Sequence, residues 1–149
     1  MNPSEISQNI YEHDFCAWLD RNAGLLREGK LSEIDVENIA EELETMGKSQ
    51  HRELVSRLKI LFAHLLKWQF EPRYRSKSWK GTIIEQRQQI RGLLETSPSL
   101  KHGIDEKLTR AYADAVEYAA NETGIPEADF PEICPYSLEQ GLDKNFYPD

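Results

Sequence analysis

Three glutamates, Glu37, Glu41 and Glu44, recur at spacings of four and three, so they share one face of any helix that carries them. Carboxylates in that pattern are half of a bridged di-iron site, which also needs Glu-x-x-His pairs pointing into a bundle core. The chain has no Glu-x-x-His, and these glutamates lie opposite the apolar positions of their own segment. A solvated acidic face is the expectation. Glu42 differs, because it falls beside Met46 at the apolar edge and can reach inward. His64 borders an apolar stripe between Leu61 and Trp68, the usual place of a structural histidine. His51 lies thirteen residues earlier, about 220° away around a helix, so the two cannot share an ion. His13 and His102 lie elsewhere in the chain, and neither a metal nor a cofactor is expected.

Arg87 is the most informative cation. It falls at the centre of an apolar arc formed by Ile83, Ile90 and Leu94. A guanidinium there must be paired or must snorkel outward. The leading expectation is an internal ion pair with Glu42 or Asp14 from the first or second helix. The alternative is an anion pocket shared with Arg73, Arg75 and Lys77. The segment FEPRYRSKSWK interleaves cations with Phe70, Tyr74 and Trp79, a pattern suited to phosphates and stacked bases. The candidate binding residues are therefore His64, Trp68, Arg73, Arg75, Lys77, Trp79 and Arg87.

The elements that must position them read as helices. A first is expected over Ile6–Glu28, a second over Glu33–Met46 capped by Ser32, and a third over Ser49–Phe70. The third carries the stripe Leu54, Leu58, Leu61, Leu65 and Trp68. Gly47 is expected to separate the second and third. A fourth helix over Trp79–Glu95 is capped by Ser78, and a fifth covers Ile104–Thr123, ended by Gly124. From Ile125 onward four of the seven prolines alternate with large apolar residues. That composition predicts a strap lying over the bundle, with a short helix capped by Ser137 and Gln140. No segment alternates with period two, so no sheet is expected.

Charge is distributed in blocks. Residues 1–46 hold 3 Lys+Arg and 11 Asp+Glu, residues 47–91 hold 11 and 3, and residues 92–149 hold 4 and 12. The net charge of −8 thus hides a basic centre between acidic flanks. Mutual neutralisation within one fold is the leading reading of that centre, and a face for phosphates is the alternative. At 149 residues one domain is expected: a helical bundle over 1–124 and the strap over 125–149. Two cysteines are too few for a disulfide scaffold. The first residues lack the basic and apolar regions of a signal peptide, and no apolar run is long enough to span a membrane. A cytoplasmic protein with no membrane contact is expected.

The strings DVENIAEELETMG, HLLKWQ, SWKGTIIEQR, SPSL and FPEICPY, in this order and spacing, resemble the bacterial family called domain of unknown function number 29. The resemblance runs from about Tyr11 to Pro148. It implies an all-helical bundle, and it brings no catalytic residue, cofactor or activity. The expected class is all-α, with about five helices. The leading functional expectation is a non-enzymatic protein-interaction module with a protein partner, self-association left open. A nucleic-acid or anionic-ligand binder using the Arg73–Arg91 region is second. A hydrolase or nuclease using Glu41 or Glu42 with His64 is third.

Overall fold

A computed structural model describes residues 2–149, and the chain is all-α. Its helices are α1 Pro3–His13, α2 Phe15–Arg27, α3 Val36–Phe70, α4 Lys77–Thr96, α5 Ile104–Thr123 and α6 Leu138–Leu142. No strand occurs among the described residues. None of their helices is long and apolar enough to cross a membrane. The chain divides into two compact units, Met1–Lys48 and Ser49–Asp149, with the division inside α3.

In the first unit the expected helix Ile6–Glu28 is two helices, and Asp14 is the reason. Its backbone leaves helical geometry at φ −149°, ψ 84°, its N–H closes α1 on the Ile10 carbonyl, and its carboxylate accepts from the Ala17 N–H to start α2. A capping aspartate is a strong helix start. The apolar spacing Phe15–Trp18–Leu19 belongs wholly to α2. The expected cap Ser32 gives way to Asp35. The Asp35 carbonyl accepts from the Ile39 N–H at 2.9 Å, and its carboxylate accepts from the Trp18 indole at 2.9 Å. The Asp35 N–H in turn donates to the side chain of buried Asn22 at 2.9 Å. Trp18 is buried here, its ring 4.9 Å from Tyr11 and 5.6 Å from Phe15. Glu42 does reach inward, accepting from the Tyr11 hydroxyl at 2.5 Å.

The expected break at Gly47 is absent, because α3 runs through it without a positive φ. A lone glycine in a helix costs about 1 kcal/mol relative to alanine, which is too little to interrupt good helix formers on both sides. The early part of α3 also departs from its apolar spacing. Val36, Leu43 and Met46 read as a core face but are 59%, 63% and 65% exposed. The small core of this unit is built on Trp18 instead. Glu37, Glu41 and Glu44 are exposed, as their spacing predicts.

The second unit holds the main core. Leu54, Leu58, Leu61 and Leu65 of α3 are fully buried with Ile83 and Ile90 of α4. From α5 come Ala111, Tyr112, Ala115 and Ala119. The three alanines let helix axes approach closely. The start of α4 is set by Ser76, whose hydroxyl accepts from the Trp79 N–H, so Lys77 is its first residue and not part of the preceding connector. Gly124 ends α5 at φ +77°, a left-handed conformation that side chains with a Cβ resist. The strap then buries Phe130 and Tyr136 in the same core. It continues into α6, opened by a reciprocal Ser137–Gln140 capping box.

Candidate functional site

Three of the seven sequence-predicted binding residues, Trp68, Arg75 and Arg87, serve the strap. Arg87 is 1% exposed within the apolar arc of α4, but its expected carboxylate partner is not what compensates it. Its Nε donates to the Gly141 carbonyl at 2.6 Å and its Nη2 to the Phe146 carbonyl at 2.6 Å. One turn further along α4, Arg91 donates to the Leu142 carbonyl. The reason lies in α6. A five-residue helix leaves its last carbonyls without intrahelical donors, and these carry the negative end of its dipole. Two arginines four residues apart on α4 cap that end. Glu42 and Asp14, the acids expected to pair with Arg87, are engaged by Tyr11 and by the start of α2. Burial pushes the Arg87 guanidinium down from its ordinary value, with Tyr147 and Asp143 opposing.

Trp68 and Arg75 join Arg87 around residues 146–148. Arg75 donates from Nε to the Trp68 carbonyl at 2.8 Å and from Nη2 to the Pro148 carbonyl at 3.3 Å. Its guanidinium sits 5.2 Å from the Trp68 ring, which lies 5.0 Å from Tyr147. Tyr147 also faces Arg87 at 5.1 Å and Lys80 at 5.3 Å. Arg73, on the single 3-10 turn Pro72–Tyr74, and Lys77 are exposed and outside this cluster. Trp79 is half-buried under the Lys67 ammonium, 4.7 Å from its ring. The ion pairs among the described residues are Lys30–Glu28 and Arg57–Glu53, each within its own charge block. Much of the basic block is therefore spent on carbonyls and rings.

His64 stands apart from these cations. It is buried, its Nδ1 is 2.8 Å from the Ile60 carbonyl, and its ring lies 6.4 Å from Tyr118. Burial lowers its pKa from 6.5, so the folded state favours the neutral ring. The unfolded chain then binds more protons as pH falls through 6.5. This group's contribution is full above that value, declines as pH falls toward the lowered folded pKa, and levels off below it. Thermal melts across this range are expected to show a shallower acid decline for His64→Gln than for the natural chain. Parallel profiles would show that His64 is not held neutral.

A concavity of the second unit lies between α5 and the strap, with a volume near 830 Å³. Its lining includes Leu108, Tyr112, Val116, Phe130 and Tyr136, and its edge carries the exposed acids Asp105, Glu127 and Glu132. No lysine, arginine or histidine lines it. The Tyr112 hydroxyl fixes one wall by donating to the Pro131 carbonyl at 2.6 Å, and burial pushes that phenol up to about 12. The Cys134 thiol bonds the Tyr136 carbonyl at 3.3 Å and is raised by burial, so it is a neutral packing group. Beside it Ile133 is 82% exposed. Sequence reading missed this groove. Its signal was present in the acids that flank apolar strap residues, but nothing in the spacing places the strap along α5.

No curated protein and no solved structure matches the chain. Of the strings that resemble a known family, DVENIAEELETMG lies in the first unit, whereas HLLKWQ ends α3, SWKGTIIEQR carries Arg87, and FPEICPY forms the groove wall in the second. The sequence profile described as domain of unknown function DUF29 matches residues 10–147, and the chain belongs to that family.

Proposed function

We propose that the chain is a non-enzymatic protein-interaction module of the bacterial cytoplasm, whose α5–strap groove receives a basic, amphipathic segment of a partner protein. The observation that carries this reading is an apolar floor under an acidic rim, with Ile133 protruding beside it. An apolar anchor entering such a groove supplies affinity, and complementary charge at the rim supplies orientation and encounter rate. The strongly acidic balance of residues 92–149 favours a basic partner over a second copy of the same surface. An exposed, free Cys16 suits a reducing compartment.

Selection from a random peptide library on the full chain tests the reading. Enriched peptides are expected to carry an aliphatic or aromatic anchor flanked by Lys or Arg. Ile133→Asp, or Glu127→Lys combined with Glu132→Lys, is expected to weaken them by about tenfold or more. These side chains are exposed, so the fold is not at stake. Enrichment of acidic peptides, or basic peptides indifferent to both variants, would remove the groove from the proposal.

A further inference from the structure

A second cavity of the same unit, near 550 Å³, has the opposite character. Lys80, Arg87 and Arg91 line it from one face of α4, at spacings of seven and four. Lys144, Asn145 and Tyr147 line it from the strap. Four cationic residues are in the lining, and no carboxylate is. Like charges brought together repel, and the α6 carbonyls answer only part of that charge. Asp143 acts on Arg87 through space but forms no ion pair with it.

Arg87 supplies the second, independent observation. A guanidinium carries five N–H groups. Its Nε and Nη2 are bonded to the strap, whereas its buried Nη1 has no acceptor. Buried donors are rarely left unpaired. That nitrogen lies beneath the cavity surface, so an oxyanion held by the other three cations would answer its charge through space.

We propose that this cavity binds a small phosphomonoester, its phosphate held by Lys80, Arg87, Arg91 and Lys144 and its remainder resting on Tyr147 and Ile84. A dianionic phosphate matches several convergent donors better than a single carboxylate does. The volume falls within the range of small-molecule pockets, roughly 300–1,000 Å³. Arg73 and Lys77, exposed cations that a longer polyanion would track, lie outside the lining. The α5–strap groove has no part in this site.

Calorimetric titration of the full chain with inorganic phosphate, pyrophosphate and a nucleoside monophosphate, at matched ionic strength, tests the proposal. A single-stranded oligonucleotide is the comparison for a polymeric source of phosphate. Saturable one-to-one binding is expected for the small phosphates, weakening steeply with salt. Lys144→Glu, at an exposed residue that anchors nothing, is expected to raise Kd by about tenfold or more. Lys77→Ala, outside the cavity, is expected to leave Kd unchanged. The proposal is overturned by any one of four results. These are no saturable binding at millimolar ligand, equal affinity in Lys144→Glu, the same response to chloride, or binding of the oligonucleotide but of no small phosphate.

Discussion

Removal of Phe130–Asp149 is expected to abolish the cooperative thermal transition while leaving much of the helical far-ultraviolet signal. The segment places Phe130 at 5.3 Å from Phe70 and Tyr136 at 6.2 Å from Phe62, ring centre to ring centre. Losing a buried aromatic side chain costs about 3–5 kcal/mol. Two such losses are comparable with the whole stability of an ordinary domain, about 5–15 kcal/mol. The deletion also strands polar groups. Gln69 loses the Tyr136 hydroxyl, Tyr112 loses the Pro131 carbonyl, and Arg87 loses both acceptors. The helices that remain would retain backbone hydrogen bonds but lack fixed packing, a state that binds hydrophobic dyes and melts gradually. Melts followed by near-ultraviolet circular dichroism and dye fluorescence check this. A truncated chain as sharply cooperative as the natural one would show that the strap lies outside the core.

Arg87→Met is expected to cost about 2–4 kcal/mol in urea unfolding. Each carbonyl left without its donor carries a penalty of about 1–3 kcal/mol, offset by relief of the guanidinium's desolvation. The nature of the partners makes this substitution diagnostic. Were Arg87 held by a carboxylate, Glu42→Ala would be coupled to Arg87→Met. With main-chain acceptors the two changes are expected to add within about 0.5 kcal/mol. Arg91→Met is instead expected to be non-additive with Arg87→Met, because both arginines cap one helix end. The carbonyl anchor has no acidic side chain to protonate. Its contribution is therefore expected to persist under mild acid, where an ion pair would weaken. Coupling to Glu42, or a penalty that vanishes on acidification, would restore an ion pair as the compensating interaction.

Much of this architecture is legible in residue order. The Leu54–Leu58–Leu61–Leu65 stripe, α5 from Ile104 to Thr123 and the Ser137–Gln140 box stand where spacing and capping place them. These are local signals, each contained within a few helical turns. Two misreadings are local as well. The capping geometry of Asp14 splits the expected first helix, and one glycine at position 47 is too weak a breaker to end α3. The burial of Arg87 follows from its helical register, but its partners do not. Main-chain carbonyls have no letter in the sequence, so a side-chain census finds only acids. For the same reason Arg75 and Arg91 read as free cations. The groove and the cationic cavity depend on how the strap crosses α5 and α4, which no periodicity encodes.

The carbonyls that hold Arg87 come 54 and 59 residues after it in the chain. During translation at about 5–20 residues per second, roughly 3–12 seconds separate synthesis of the arginine from synthesis of its acceptors. In that interval the guanidinium has only water to bond, and the faces of Phe62 and Phe70 that Tyr136 and Phe130 will cover remain open. A nascent chain stalled before Phe130 therefore displays an unanchored cation and open aromatic faces together. The anchoring of Arg87 is thus among the last contacts the growing chain can form, since it needs Phe146.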